Sequence, residues 1–415
     1  MARYYRGRAP WELLVRLAEL QGPLGQCEFA CWCKDFVARY VHGDTQPALR
    51  KSVDNYLKNE LIALHIGPAY SDGLLPRDRK RARDPSAPVA RLLSFDVDLT
   101  DYDHLGLDPK DVAACDAAWP MSAIAAVLLR HLLHDAFGFE QMLVVYSGRR
   151  GVHLHVLDEG AVRLGDEARK AIVANLNYSA HKEHRRANDA LRQYVDGRPG
   201  LWDEIEAMVV EVALDPAGLD LLGFAHQRDA FVDALHLTSG KFGGLREAVL
   251  AAPTGREAYA AAKSVLAPHF PAADEAGYLA QRRAALKPPA AVDPGWVRHV
   301  FRAAVLALVW PRIDAGVATL NHTIRCPLSV HDKAARLATP VPSANPRDVF
   351  AFDPRVDAVR VDPDAGDVAE DALPAFARAC AVLEGALAAA ERARAPAPRA
   401  SEGGDIEDLA RVVVV

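Results

Sequence analysis

A short segment in which apolar and acidic residues alternate constrains this chain more than any other feature. Within residues 92–98, Leu93, Phe95 and Val97 alternate with Asp96 and Asp98. Successive side chains of a strand point to opposite faces, so the pattern predicts a strand that buries its apolar face. Both carboxylates then project the same way and can hold divalent metal ions against a triphosphate. An acidic strand end that merely faces solvent is the alternative.

A second pattern follows a predicted helix. Apolar spacing predicts a helix over Ser122–Phe137, with Pro120 before it and Ser122 as its N-cap, and strands over 143–146 and 152–157 come next. The turn between these strands reads SGRRG and leads into VHLH. Two glycines shape a tight turn, two arginines offer forked cationic donors, and a histidine follows, which suits triphosphate recognition. Solvated turn residues are the alternative reading. The residues in question are Ser147, Gly148, Arg149, Arg150 and His153.

A third stretch, PRIDAGVATLNHTIRCPLSVH, supplies a third acid, a further cation and a further imidazole: Asp314, Arg325 and His331. Three carboxylates with several arginines and histidines are what a nucleotidyl-transfer site requires, because metal ions must stabilise the attacking and leaving oxygens while cations hold the phosphates. Spacing leaves open whether these residues converge.

Composition narrows the class of protein. The 49 basic and 55 acidic residues give a net charge of −6, which disfavours a protein that coats nucleic acid through bulk charge. A local basic groove is compatible with that charge, and the loop RDRKRARDPSAP is read as a solvated connection, with a nucleic-acid contact as the alternative. Six cysteines without a pairing scheme favour a reducing compartment. No signal peptide or membrane span is expected, so we expect neither secretion nor membrane insertion.

The patterns predict an α/β (α+β) protein in which helices flank a mixed sheet that carries the metal site on one face. We assign residues 1–162 and 291–362 to this catalytic core and 163–290 to an inserted, mostly helical subdomain. Residues 363–394 are predicted to form a C-terminal helix, and residues 395–415 a disordered tail.

Three of these segments resemble the catalytic motifs of a known family, the small, catalytic subunit of archaeo-eukaryotic DNA primase. They are FDVDLTDYD, YSGRRGVH and LNHTIRCPLSVH, and their order and approximate distances also agree. The segments YYRGRAPWELL, CEFACWCKDFVARY and IALHIGPAYS are similar to the family's N-terminal region, so the resemblance covers most of residues 3–355.

The resemblance implies the archaeo-eukaryotic primase catalytic fold and a role for each motif residue. Asp96, Asp98 and Asp314 would be the catalytic, metal-binding acids, with Mg²⁺ or Mn²⁺ as cofactor. Residues of the other motifs would bind the incoming nucleotide: Arg39, Ser147, Gly148, Arg149, Arg150, His153, Arg325 and His331. Arg325 stands where the family usually carries a lysine. Only Cys115 stands where the family usually places a cysteine-rich zinc site, so no structural zinc is expected.

The function implied is de novo synthesis of short RNA primers on a single-stranded DNA template by two-metal nucleotidyl transfer during replication. The implied partners are a primase large subunit, in a heterodimer, a DNA polymerase alpha-type complex, the template and nucleoside triphosphates. The location would be the nucleus in a eukaryote, and otherwise the cytoplasm or a virus-infected cell. Three alternatives stay open: a stand-alone primase-polymerase of a virus or repair pathway, a D-x-D nucleotide-sugar glycosyltransferase, and a catalytically inactive replication scaffold.

Overall fold

The structure, a computed structural model, describes residues 2–71, 87–176, 199–235, 237, 242–270 and 294–394. These residues divide into two compact units. The first takes its residues from 1–98, 109–176 and 313–415, and the second from 99–108 and 177–312. The boundaries between the units fall after residues 176 and 312. The sequence patterns had placed the corresponding boundaries after residues 162 and 290. The predicted tail, 395–415, lies outside the described residues.

The strands found in the described residues all belong to the first unit. They are β1 (Cys27–Cys33), β2 (Val37–Val41), β3 (Leu61–Tyr70), β4 (Pro88–Ala90), β5 (Leu93–Asp98), β6 (Met142–Tyr146), β7 (Gly151–Val156), β8 (Ile324–Arg325), β9 (Val330–His331), β10 (Arg336–Leu337), β11 (Thr339–Val341), β12 (Val361–Asp362) and β13 (Asp367–Val368).

Helices of the first unit are α1 (Trp11–Glu19), α2 (Gln46–Leu57), α3 (Val112–Ala117), α4 (Trp119–Phe137), α5 (Glu159–Val162) and α6 (Asp166–Leu176), and, after the second unit, α12 (Pro346–Ala351), α13 (Pro354–Asp357) and α14 (Leu373–Arg394). The second unit contains α7 (Pro199–Met208), α8 (Ala225–Ala234), α9 (Leu245–Ala251), α10 (Gly255–Leu266) and α11 (Pro294–Val309).

Two sheets organise the first unit. Sheet 1 has the order β2-β1-β3-β4, with β8 also paired to β3, and sheet 2 has the order β11-β6-β7-β5. The α+β class is confirmed. The predicted mixed sheet is corrected, because every strand pair in the described residues is antiparallel. Two two-stranded sheets, β9–β10 and β12–β13, accompany sheets 1 and 2. In sheet 2, β6 and β7 form a hairpin, and β7 lies between β6 and β5.

The predicted secondary structure is confirmed within one residue for the strands around the first two motifs, and the helix between them begins earlier than expected. It starts at Trp119, with Pro120 in its first turn. Proline suits the first helical turn, because its missing N–H would be unsatisfied there and its fixed φ is already helical. Ser122 is therefore not an N-cap but a fully buried residue inside the helix.

The core of the first unit packs helices against sheet 1. Phe29 and Cys31 from β1 and Leu64 from β3 join one buried apolar cluster with Leu17 of α1 and Leu383 of α14. Within the described residues, the stretch Glu370–Arg394 is long and apolar enough to cross a membrane by length and composition. One stripe of its residues packs into the core of the first unit, and Arg394 at its end donates to the Leu20 carbonyl.

Candidate active site

Strand β5 presents the first two acids as the alternation predicts. Phe95 and Val97 are fully buried, whereas the Asp96 and Asp98 side chains are 33% and 30% exposed. Asp98 Oδ2 accepts a hydrogen bond from Arg150 Nε at 2.7 Å. Asp96 Oδ1 lies 3.6 Å from His153 Nε2, because the two residues are register partners on β5 and β7. The two carboxylates thus share one face that solvent reaches.

The third acid comes from a distant part of the chain. The backbone N–H of Asp314 donates to the Asp96 carbonyl at 3.0 Å, which fixes the Asp314 segment beside β5. The Asp314 carboxylate accepts from Gly316 N–H at 2.8 Å and so caps the short 3-10 helix Ala315–Ala318. The structure therefore brings Asp314 next to β5 through its backbone.

The donor chemistry of these residues fits a hard divalent cation, since carboxylate oxygens are the ligands that Mg²⁺ and Mn²⁺ prefer. In the described part of the chain, no three His, Cys, Asp or Glu side chains form a group that could already hold a metal ion. Asp96 and Asp98 sit on one strand face, but one Asp314 oxygen is engaged by Gly316. Binding a metal through all three acids would require the Asp314 side chain to turn or to use its second oxygen.

The turn between β6 and β7 packs tightly against the third motif. Ser147 N–H donates to the Gly151 carbonyl at 3.0 Å and closes the turn. Gly148 has φ +97°, and a Cβ added to it would lie 2.8 Å from the Cβ of His331. Both facts require glycine here, because other residues rarely adopt this φ and any side chain would collide. The second and third motifs are therefore in contact.

Four cationic or imidazole side chains converge beside this turn. Burial first, and then the charges of Arg325 and Arg149 and the nearby His153, lower the pKa of His331 to about 3. Burial lowers the pKa of His153 to about 3 as well, with Arg325 again contributing. Both imidazoles are neutral at pH 7, so each keeps one N–H donor that can reach a phosphate oxygen. The arginines supply the positive charge.

Arg325 is held on sheet 1 and points toward this cluster. Its strand β8 pairs with β3, where Arg325 is the register partner of His65. Its Nη1 donates to the Val330 carbonyl at 2.6 Å. The charge of Arg325 acts on the pKa of both His65 and His153, and these two histidines belong to different sheets. The cluster therefore draws on both sheets.

Arg39 lies in a network that joins β1 to the third motif. It forms a double ion pair with Glu28, with Nη2 to Oε2 at 3.0 Å, and Nη2 also reaches the Asn321 carbonyl at 3.3 Å. Tyr70 OH donates to Glu28 Oε2 at 3.0 Å, and Tyr40 N–H donates to Oε1 at 3.0 Å. Glu28 is fully buried, so this carboxylate and Arg39 stabilise each other. Sequence reasoning missed Glu28, although one charged residue within an apolar strand was a usable signal.

A buried ion pair supports the turn between β6 and β7. Arg336 makes a bidentate pair with Asp116, at 2.6 and 2.8 Å. Arg336 also donates to Tyr146 OH at 3.0 Å, and Tyr146 OH donates to the Arg149 carbonyl at 3.0 Å. This network fixes the backbone of the turn that carries Arg149. Nothing in the sequence indicated that residues 220 positions apart would pair.

A second buried arginine anchors the Asp314 segment. Arg91 is 1% exposed, and its Nη1 donates to the carbonyls of Val317 and Thr319 at 2.6 and 3.0 Å. Asp166 accepts from Leu320 N–H at 2.6 Å in the same segment. These contacts hold the segment that follows Asp314, and no sequence motif singled out Arg91.

Strand-borne carboxylates opposite a cluster of arginines and neutral histidines form an arrangement that nucleotidyl-transfer enzymes use. Comparison with known proteins identifies the family. The family model described as DNA primase small subunit matches residues 95–342. The chain is 27% identical to the DNA primase small subunit of Schizosaccharomyces pombe over 356 residues, covering 82% of this chain and 72% of that protein.

Further relatives come from an animal and an archaeon. The chain is 27% identical over 305 residues to the DNA primase small subunit of Caenorhabditis elegans, covering 71% of this chain and 70% of that protein. It is 40% identical over 82 residues to the DNA primase small subunit PriS of Halorubrum lacusprofundi, covering 20% of each chain. The chain belongs to the DNA primase small subunit family.

Proposed function

We propose that this catalytic primase subunit starts nucleic-acid chains without a primer by joining nucleoside triphosphates on a single-stranded DNA template. One observation carries the proposal: Asp96 and Asp98 share an accessible strand face beside a cluster of arginines and neutral histidines. Acids of this kind suit metal ions, and the cluster suits a triphosphate. The family to which the chain belongs supports the same reaction.

Asp96, Asp98 and Asp314 would hold Mg²⁺ or Mn²⁺. Such ions, when bound, supply charge neutralisation for the attacking hydroxyl and the leaving pyrophosphate. Asp98 is paired with Arg150 and Asp96 lies near His153, so a bound cation would compete with these two partners for the carboxylates.

The remaining residues would bind and orient the triphosphate. Arg149 and Arg325 supply charge, while His153 and His331 donate neutral N–H groups. Ser147 and Gly148 form the turn against which the phosphates would lie, and Gly148 leaves room for His331. Arg150 would contact phosphate after leaving Asp98. Fixed positions of these groups would align the α-phosphate with the attacking 3′-hydroxyl.

The partners follow from the family and are proposals for this chain. We expect a heterodimer with a primase large subunit, association with a DNA polymerase alpha-type complex, and action on a single-stranded template. The proposed location is the nucleus in a eukaryote, and otherwise the cytoplasm or a virus-infected cell. The expected absence of structural zinc also stays a prediction. The family assignment does not favour the glycosyltransferase, the inactive scaffold or the stand-alone enzyme.

Primer synthesis tests the proposal directly. The protein is incubated with single-stranded homopolymer DNA and labelled ribonucleotides, with Mg²⁺ or Mn²⁺, with and without a large subunit. Short products from the wild type and none from Asp96→Asn/Asp98→Asn are expected. Asp54→Asn, which changes an exposed acid of α2, is the matched control and should retain activity.

Products that form equally well without added metal and in the double variant would refute the role of the acids. Folded wild-type protein that binds its large subunit yet makes no product under any condition would refute catalysis. Circular dichroism melting curves of all three proteins separate loss of activity from loss of folding.

A further inference from the structure

A groove on the first unit is lined mainly by apolar side chains. Its lining residues come from β11, α12, α13, the first half of α14 and the loops between them. Pro340, Phe352 and Ala379 are buried in this lining, whereas Val382 is half-buried and Ala351 is exposed. Concave surfaces of this composition are where proteins usually bind small ligands and peptide segments.

The size of the groove favours an extended segment over a helix. The groove has a volume of about 200 Å³. One turn of a helix with its side chains is about 10 Å across and fills roughly twice that space. β11 is an edge strand of sheet 2, but Pro340 and Pro342 have no N–H with which to pair a further strand. The occupant would therefore bind by inserting small apolar side chains rather than by extending the sheet.

The charged residues of the lining carry an excess of negative charge. They are two acids, Asp348 and Asp357, and one cation, Arg378. The Arg378 guanidinium donates to Asp357 Oδ1 at 3.2 Å, and Asp348 Oδ2 accepts from the Asn345 N–H at 3.1 Å. Two carboxylates against one guanidinium favour an apolar segment that has a basic residue beside it, because opposite charges across an interface select the partner.

One segment of this chain has that composition. Residues 412–415 are four consecutive valines that directly follow Arg411, and they lie outside the described residues. Valine is branched at Cβ, which favours extended backbone, and its side chain is small enough for the groove. Covering apolar side chains is favourable by about 0.8 kcal/mol for each CH₂ group removed from water. The run of valines therefore matches the groove in shape and in chemistry.

The valines are attached close enough to reach the groove. Val382, the last lining residue on α14, lies roughly 18 Å from Arg394 at about 1.5 Å per helical residue. The chain between Arg394 and Val412 can span up to about 56 Å when it is extended. Attachment through a short linker raises the local concentration of a segment to roughly millimolar, so even a weak contact is populated.

We propose that residues 412–415 dock as an extended apolar segment in the groove of β11, α12, α13 and α14, with Arg411 beside the carboxylates of Asp348 and Asp357. The groove is thus an internal docking site that the same chain fills. This contact does not depend on nucleotide, metal ion or template.

A labelled synthetic peptide of residues 405–415 tests the groove by fluorescence anisotropy. Full-length protein carrying Val413→Asp/Val414→Asp should bind the peptide with a dissociation constant on the order of 0.1 mM, because its own segment would leave the groove. The wild type should bind about tenfold more weakly, since its own valines compete. Added to the double variant, Ala351→Glu should weaken binding about tenfold by placing a charge in the apolar lining. Ala377→Glu, at an exposed α14 position outside the lining, is the matched control and should have no effect.

Variant peptides test which side chains are recognised. A peptide with serine at all four valine positions should not bind, because the apolar contact is lost. Arg411→Glu in the peptide should weaken binding several-fold, since the new carboxylate would repel Asp348 and Asp357. Added salt should weaken the wild-type peptide less than it would a contact held by charge alone.

Equal peptide affinity of the wild type and the Val413→Asp/Val414→Asp protein would overturn the proposal, because the groove would then be empty in both. Absence of binding to the double variant at millimolar peptide would overturn it too, as would full affinity in Ala351→Glu or for the serine peptide. If sedimentation instead shows a dimer that Ala351→Glu abolishes, without peptide binding, the groove belongs to a second copy of the chain. Thermal melts confirm that each variant is folded.

Discussion

The two sheets of the first unit differ in how far they bury a carboxylate and in how they pair it. On sheet 1, Glu28 is fully buried and accepts hydrogen bonds from Arg39, Tyr70 and a backbone N–H. On sheet 2, Asp96 and Asp98 keep about a third of their side-chain surface exposed. The same antiparallel alternation thus produces a structural acid where donors enclose it and an acid available to ligands where solvent reaches it. Four substitutions test this contrast.

The largest effect is expected at sheet 2. Asp98→Asn should lower primer synthesis at least about a hundredfold, because a charge that would hold the metal is lost. The free energy of unfolding should change by less than about 1 kcal/mol, since Asp98 and Arg150 are both about a third exposed and such pairs stabilise weakly. Rate measurements and urea denaturation check both statements. A large loss of stability would place Asp98 with Glu28 as a structural acid.

The reverse result is expected at sheet 1. Glu28→Gln should lower the free energy of unfolding by about 2–3 kcal/mol, because Arg39 loses the buried charge that balances it. Chemical denaturation measures the loss. Glu60→Gln is the control: Glu60 is 70% exposed in its pair with Lys34, so its removal should cost less than about 0.5 kcal/mol. Equal losses in the two variants would remove the contrast between the sheets.

A smaller effect tests how the turn of sheet 2 meets the third motif. Gly148→Ala should cost about 1–2 kcal/mol, since φ is +97° and the new Cβ would press on His331. Nucleotide affinity should fall too, because His331 must shift. Titration with a nonhydrolysable nucleotide and a thermal melt provide the measurements. Gly160→Ala, whose Cβ would meet nothing within 4 Å, should leave both unchanged or slightly raise stability.

The smallest effect is expected on the pH dependence of the free energy of unfolding. His155 is fully buried on sheet 2, and burial lowers its pKa well below the usual value. The folded protein then binds fewer protons than the unfolded chain just below pH 6.5, so stability falls as the pH drops through that value, by at most about 1.4 kcal/mol per pH unit for one group. His155→Phe should flatten this dependence in denaturation curves from pH 7 to pH 5. An unchanged slope would show that other groups cause it.

Sequence reasoning predicted best those features that depend on one residue type or on a local alternation of apolar and polar residues. The alternation around Asp96 predicted both the strand and the shared face, and the two glycines predicted the turn. It was weaker where partners meet across the chain. The double pair of Arg336 with Asp116 and the Arg91 contacts to carbonyls depend on tertiary packing, which local patterns do not contain. The arrangement of the sheets was missed for the same reason, because strand order depends on which hairpin inserts between neighbours.

The hydrogen bond from Asp314 to the Asp96 carbonyl and the contact of Gly148 with His331 also bear on how the protein is made. Both join the early part of the first unit to residues that follow 312. During synthesis, the chain up to that point lacks Asp314, Arg325 and His331, and β8, β9 and β11 have not yet been added. The complete arrangement of acids, arginines and histidines can therefore form only after the residues beyond 312 have been synthesised and have paired with the earlier strands.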